Sequence, residues 1–439
     1  MPAWKDYKPT KPNYHMKKEF IGIIGLGYVG FPLACLFARK YKVIGFDRNE
    51  RRVGEIQQGT DSTGEVSDEK VRMALDAGME CTTDKERLKE CNVFIIAVPT
   101  PIDRHRNPEL SPLEKASMTV GEALSPGDIV IYESTVYPGV TEEFCVPLLE
   151  KASGLCFNKD FFVGYSPERI NPGDKEHTVE NICKITSGST PEAAEYIDNL
   201  YRSVLKNGTY RASSIKVAEA AKIIENSQRD VNIAFMNEIA KIFHALEIDT
   251  QEVLRAAGTK WNFLPFTPGL VGGHCISVDP YYLIQRAELD GIRPRLMTEA
   301  RRINDTMGGY VAARVVESMN RNGILVNGAS VLILGFAFKE NCPDVRNTKV
   351  EDIYRNLQKY TSGITVYDPN IDAREVMAEY GIEICTDGKE IEGKTYDAII
   401  GCVSHSCFDS LDIQAMRKRK SIVYDIKGNI PKEYVTDRL

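Results

Sequence analysis

From Phe20 onward, apolar positions fall into two alternating textures. Short apolar runs, "FIGIIG", "KVIGFD", "NVFIIAVP", "DIVIYEST", "DFFVGYSP" and "ICKITSG", alternate with longer stretches in which apolar residues recur at helical spacing. Runs that are apolar on successive positions predict strands buried on both faces, and their alternation with helical segments predicts parallel strands with crossover helices. From Ser213 to about Arg321 the strand signal nearly vanishes, and "SSIKVAEAAKIIENSQRDVNIAFMNEIAKIFHALEI" runs about 36 residues without proline. Such a length predicts a spine helix whose exposed apolar stripe suits a partner subunit. Strand runs resume at "ASVLILGFAF", "GITVYDPN", "YDAIIGCV" and "SIVYDIKG".

The expected fold class is therefore α/β: two Rossmann-like doubly wound domains joined by a central long helix and a helical dimerisation domain. The expected divisions are a polar extension over residues 1–19, a dinucleotide-type domain over 20–212, a helical domain over 213–325 and a C-terminal Rossmann-like domain over 326–439. A chain of 439 residues exceeds one ordinary core, and 43% hydrophobic with 27% charged residues supplies material for buried sheets. The net charge of −7 argues against a nucleic-acid or membrane-surface partner, so an anionic ligand must meet local basic groups. No apolar run reaches transmembrane length, and the N-terminus lacks the apolar stretch of a signal peptide. The 11 cysteines are scattered without a CxxC pair, which reads as a reduced, cytoplasmic set. Cys402, His405 and Cys407 form one short cluster with no second half, so no metal site is expected.

Composition leaves the chemistry open; spacing narrows it. In "IIGLGYVGFPLA", Gly25, Gly27 and Gly30 stand in GxGxxG spacing between a strand and a helix. The first glycine permits the tight turn, the second lets the backbone approach a pyrophosphate, and the third allows close helix packing. Pro32 sits in the first helical turn, where its missing N–H costs nothing. Asp47 ends the next strand, 17 residues after Gly30, where a carboxylate accepts from both ribose hydroxyls and disfavours a 2′-phosphate. The expected cofactor is NAD. The later unit lacks this fingerprint, and "LILGFAFKENCPDVRNT" suits a different phosphorylated group; Asp368 is either a ribose contact or a turn-former in "YDPN".

Four further stretches carry candidate chemistry. "LVGGHCISVDP" places Cys275 after two glycines and His274, with Asp279 four positions on. Lys222 and Asn226, four apart on the long helix, can point an ammonium and an amide at one atom. "GYSPERINPGD" presents Glu168, and "YESTVYPG" Thr135, at the carboxyl edge of the first sheet, where ligands of such folds bind.

In order, "GLGYVG", "AVPTP", "ESTVYPG", "SPERINPGD", "AEAAKIIEN", "GGHC" with Asp279, and "GFAFKENCPDVRNT" resemble the UDP-glucose/GDP-mannose dehydrogenases over roughly residues 20 to 435. "GTKWNFLPFTPGLVGGHC" and "FKENCPD" look like the branch that makes UDP-N-acetylhexosaminuronic acids for bacterial surface polysaccharides. The resemblance implies oxidation of a nucleotide sugar's C6 alcohol to a carboxylate with two NAD+, through a thiohemiacetal and a thioester on a cysteine. UDP-N-acetylglucosamine is the expected sugar, with its galactosamine and mannosamine epimers and UDP-glucose as alternatives.

Carried over by resemblance, Cys275 is the nucleophile, a thiolate that keeps the aldehyde from escaping, and the paired glycines let the sugar approach it. Lys222 stabilises the oxyanion with Asn226 as second donor, Asp279 and Thr135 hold a water, and Glu168 is the acid/base of thioester hydrolysis. The resemblance assigns Val29, Asp47, Arg52, Thr100, Thr135 and Arg346 to NAD. It assigns Glu168, Arg169, Lys222, Asn226, Lys260, Phe263, Phe266, Gly272, Lys339 and Lys427 to the nucleotide sugar, in a cleft between the two α/β units. Lys427 stands where UDP-glucose enzymes carry an arginine, and "GTKWNFL" lacks the arginine that a neighbouring subunit supplies there. His274 reads as a structural or substrate-contact residue, since similar enzymes have serine. A single-step β-hydroxyacid dehydrogenase shares the first domain and the Lys-x-x-x-Asn helix but has no use for Cys275. An NAD-binding regulatory protein predicts damage to Lys222, Glu168 or Cys275, and all three are intact.

Overall fold

In the computed structural model, residues 18–103, 105–169 and 179–439 are described. Most of the expected N-terminal extension, and the "INPGD" part of the Glu168 loop, lie outside them. The described residues fold as two compact units, one within 18–100 and 109–222, the other within 101–108 and 223–439.

The first unit is built on a six-stranded parallel sheet: β1 (Phe20–Ile24), β2 (Lys42–Phe46), β3 (Glu80–Thr82), β4 (Val93–Ile96), β5 (Ile129–Tyr132) and β6 (Phe162–Tyr165), in the order β3-β2-β1-β4-β5-β6. The order reverses between β1 and β4, which register through Ile21↔Val93 and Ile23↔Ile95. Strand ends flanking such a reversal open the crevice in which α/β sheets bind ligands. Ile21 and Ile23 pack with Leu33 and Phe37 in one core, and Ile24, Phe94 and Ile96 in another on the opposite face. Burial on both faces is why these strands read as unbroken apolar runs.

The run "ICKITSG" departs from expectation. It forms β7 (Lys184–Thr186), paired with β8 (Thr209–Arg211) in a separate two-stranded sheet rather than extending the main one. Its first residue, Lys184, is fully buried in an ionic cluster, a demand that a lysine in an apolar run already signals.

The second unit carries a five-stranded parallel sheet: β9 (Ser330–Leu334), β10 (Gly363–Tyr367), β11 (Tyr396–Gly401), β12 (Arg417–Asp425) and β13 (Asp437–Arg438), in the order β10-β9-β11-β12-β13. Its main core joins Val331, Ile333, Ala398, Ile400 and Ile422 to Val311, Val315 and Met319 of the helix Met307–Arg321. The long helix runs Ile215–Ala245, 31 residues, and ends short of the expected "LEI". It leaves Val217, Ile224, Phe235 and Ile242 between 46% and 56% exposed. Among the described residues no helix is long and apolar enough to cross a membrane.

Candidate active site

The glycine turn after β1 shows three different physical demands. Gly25 has φ of +92°, and a Cβ there would lie 2.6 Å from the Ala97 carbonyl oxygen. At Gly30 a Cβ would fall 1.9 Å from the Gly25 oxygen, so the helix Gly30–Ala38 could not seat against the turn. At Gly27 a Cβ would meet nothing within 4 Å. Two of the glycines thus serve the fold, and the third leaves exposed, open space. That space adjoins a helix N-terminus, capped by Val29, with no acidic residue in its first turn. A phosphate group fits such a place. Asp47 lies just beyond β2, half-exposed, with its carboxylate held by the backbone N–H groups of Leu26 at 2.8 Å and Asn49 at 2.9 Å. The residues present therefore fit an adenosine dinucleotide.

Arg52 is held by protein partners next to the glycine turn. It is buried, and its guanidinium donates to the Leu26 carbonyl (2.7 Å), to Asp61 (2.7 Å) and to Ser62 (3.2 Å) while lying over the Phe31 ring. It supports the glycine turn through Leu26. Thr100, beyond β4, and Thr135, beyond β5, are both half-buried in loops at the carboxyl edge of the sheet.

Glu168 follows β6 and is 7% exposed. One oxygen accepts from the Arg169 backbone N–H at 2.5 Å, and the other faces the Lys184 ammonium at 3.4 Å. Lys184 also donates to Glu133 at 2.6 Å and to the Pro167 carbonyl at 2.9 Å, and Tyr201 donates to the second oxygen of Glu133. Burial pushes the Glu133 carboxyl up to about 7 even though Lys184 pulls it down. The Arg169 guanidinium donates to the Cys183 carbonyl. Sequence reasoning missed Glu133 and Lys184; the signal was a glutamate directly after an apolar strand and a lysine inside another.

In the second unit, Cys275 sits partly exposed in the turn before the helix Asp279–Leu289, and its carbonyl accepts from the N–H groups of Val278 (3.1 Å) and Asp279 (2.8 Å). Cys275 and Asp279 are thereby held in one turn. Asp279 is buried and accepts from the Asn226 amide at 2.5 Å, which fixes how that amide points. Lys222, the last residue of the first unit and one helical turn before Asn226, is also buried.

The paired glycines have a reason the sequence did not show. A Cβ on Gly272 would lie 2.7 Å from the Asn347 carbonyl, and one on Gly273, whose φ is +82°, 2.7 Å from the Phe338 ring. They clear space for the 338–347 loop, which carries Lys339. Within that loop Arg346 forms a bidentate pair with Asp344 at 2.8 and 2.5 Å. Burial, reinforced by Arg346 and opposed by Asp344, lowers the His274 imidazole to about 4, so it is neutral at physiological pH. A neutral ring beside the cysteine adds no charge of its own there.

Gly272 and Lys427 line one narrow cleft with Leu270, Phe338 and Thr348. Lys260 is exposed and Phe263 and Phe266 half-buried in the irregular segment that precedes it. Asp368 is buried: one oxygen accepts from the Phe336 N–H (2.7 Å), the Ala337 N–H (2.9 Å) and His405 (3.0 Å), and the other accepts from the Asn370 N–H within the "YDPN" turn (3.0 Å). The Asn341 N–H donates to Nδ1 of His405, which leaves the proton on Nε2 for Asp368. His405 is thus tied to the loop that presents Lys339.

Family models of the UDP-glucose/GDP-mannose dehydrogenases match three stretches: the NAD binding domain over residues 19–205, the central domain over 216–306 and the UDP binding domain over 332–432. A UDP-N-acetyl-D-glucosamine 6-dehydrogenase of Salmonella typhi is 54% identical over 95% of this chain and 98% of its own. One of Pseudomonas aeruginosa is 55% identical over 94% and 97%. Among solved structures, a UDP-D-ManNAc dehydrogenase of Pyrococcus horikoshii superposes with a TM-score of 0.85 at 32% identity, covering 95% of this chain and 98% of its own.

Proposed function

The chain belongs to the UDP-glucose/GDP-mannose dehydrogenase family and is an NAD-dependent dehydrogenase, and from that premise we propose that it oxidises the C6 hydroxyl of UDP-N-acetylglucosamine to the carboxylate. The observation that carries the sugar assignment is the identity of 54% and 55%, along nearly the whole chain, to two relatives named for that substrate. A relative named for the mannosamine epimer reaches 35%.

NAD+, when bound at the Gly25–Gly30 turn, accepts a hydride in each of the two oxidations. The chain's own residues do the rest. The Cys275 thiolate adds to the C6 aldehyde, and the carbon–sulfur bond holds the intermediate until it is a thioester. Lys222 and Asn226 donate to the C6 oxygen as it gains charge, with Asp279 orienting the amide. Thr135 and Asp279 are assigned a shared water. Glu168 takes a proton from the water that attacks the thioester; the C–O bond forms, the C–S bond breaks, and the thiolate departs with its electron pair. Lys339, Gly272, Lys427, Arg169 and the Lys260–Phe266 segment are assigned to the nucleotide sugar, and Val29, Asp47, Thr100 and Arg346 to NAD+, with Arg52 supporting the turn. A cytoplasmic homodimer through the long helix, serving surface-polysaccharide synthesis, is the proposed setting. The exposed Val217, Ile224, Phe235 and Ile242 support the dimer, which light scattering would test.

The test is NADH formed per UDP-N-acetylglucosamine consumed, for the native protein and for Cys275→Ser. Two per sugar, with the variant unable to complete turnover, is expected. One per sugar, or native-like turnover of the variant, overturns the thioester reading. Faster turnover of an epimer reassigns the sugar.

A further inference from the structure

Behind Glu168 lies a charge cluster that the reaction scheme does not use. Glu133 and Lys184 come from positions 51 residues apart, directly after β5 and at the start of β7. Both side chains are completely buried, and that of Glu168 is 8% exposed. One ammonium therefore faces two carboxylates, one sealed and one at the edge of solvent. The Lys184 ammonium has three acceptors, Glu133 at 2.6 Å, the Pro167 carbonyl at 2.9 Å and Glu168 at 3.4 Å. By holding Pro167 as well, it grips the backbone immediately before Glu168.

A buried ion pair is weak evidence for stability, because apolar replacements often do as well. Its position beside a candidate base points to another role. Two carboxylates near one another cannot both ionise cheaply without a cation between them. We propose that Lys184, through its contacts with the Glu168 carboxylate and the Pro167 carbonyl, is a positioning residue that keeps Glu168 aimed for the hydrolysis of the thioester. This rests on the assignment of Glu168 as the hydrolytic base. In that step Glu168 receives the proton of the attacking water, and the thiolate of Cys275 leaves with the C–S electron pair. Lys184 neither gains nor loses a proton. Among the described residues, charged or titratable groups facing Glu168 are Lys184 from β7, Glu133 after β5 and Tyr201 from the helix Pro191–Arg202, while Arg169 meets it through its backbone N–H and sends its guanidinium to the Cys183 carbonyl. Burial keeps the Tyr201 phenol far above its ordinary range, so it is neutral throughout.

The experiment compares Lys184→Met/Glu133→Gln, Glu133→Gln and Glu168→Gln in the full chain, by rapid mixing for the NADH burst, by intact mass for the sugar-acyl enzyme, and by the pH profile of hydrolysis. The double variant removes both members of the sealed pair, so no lone charge is buried. It is expected to give a burst of two NADH per site, to accumulate the acyl enzyme, and to lose roughly 10- to 100-fold in kcat at constant KM, at every pH of the profile. Glu133→Gln keeps the ammonium on Glu168, and its hydrolysis stays within a few fold of native. Native-like hydrolysis in the double variant, or equal loss in Glu133→Gln, overturns the proposal. If Glu168→Gln accumulates no acyl enzyme, the assignment of Glu168 fails instead, and the two failures are distinct.

Discussion

Replacing Gly27 by alanine separates the glycines that serve the fold from the one that serves the cofactor. At Gly27 the added methyl meets no protein atom within 4 Å, and the backbone is not in the left-handed region. Stability should therefore stay level or rise by about 0.4–1 kcal/mol from the lost freedom of the unfolded chain. At Gly30 the same methyl falls 1.9 Å from the Gly25 oxygen, and at Gly25 it lies 2.6 Å from the Ala97 oxygen on a φ of +92°. Backbone oxygens cannot rotate aside, so each of these changes should cost about 1–3 kcal/mol of overpacking, with a further ~1–2 kcal/mol of left-handed strain at Gly25. Binding should rank differently. The open space at Gly27 is where a pyrophosphate would approach the backbone, and blocking it is expected to weaken NAD+ by about 10- to 100-fold, or ~1.4–2.8 kcal/mol. Isothermal titration with NAD+ and urea unfolding, run on all three variants, read the two effects independently. Native NAD+ affinity in Gly27→Ala, or a midpoint as low as that of Gly30→Ala, would refute the reasoning.

Other outcomes follow from the second unit. Asn226→Ala removes an oriented donor and strands part of the buried Asp279 carboxylate; kcat should fall by about 100-fold or more, and urea unfolding should show a loss of about 1–3 kcal/mol. His274 is held down to about 4 by burial, so between pH 6.5 and 4 the unfolded chain binds a proton that the folded chain refuses. Stability contributed by this residue is then lost on acidification, by roughly 2 kcal/mol from pH 7 to pH 5, and His274→Phe should flatten that part of the unfolding-versus-pH curve. Burial pushes the Asp368 carboxyl up, but His405 and two backbone donors outweigh it and hold it low. Its contribution is present above the ordinary carboxylate range and lost as pH falls below it; Asp368→Ala should cost about 3–5 kcal/mol at pH 7 and, measured by titration, weaken UDP more than NAD+.

The linear chain carried the information that local physics can encode. Buried strands must be apolar on both faces, a helix must cross between parallel strands, and a backbone that turns from β1 into a helix needs glycines, so these features were legible in "FIGIIGLGYVG". Cys275 and Asp279 were legible too, because they lie within one turn of each other. The Glu133–Lys184–Glu168 cluster was not, since its members meet only after β5, β6 and β7 have been placed. The same limit applies to Gly272 and Gly273, which read as room for a sugar and also clear Asn347 and Phe338, residues that follow β9 in the chain. It explains Arg52, whose charge is spent on Asp61 and the Leu26 carbonyl, and Asp368, turned inward to hold a loop. Periodicity reports which face of an element is buried; which charges then lie against one another is set by long-range packing, where desolvation decides what each carboxylate and ammonium must find as a partner.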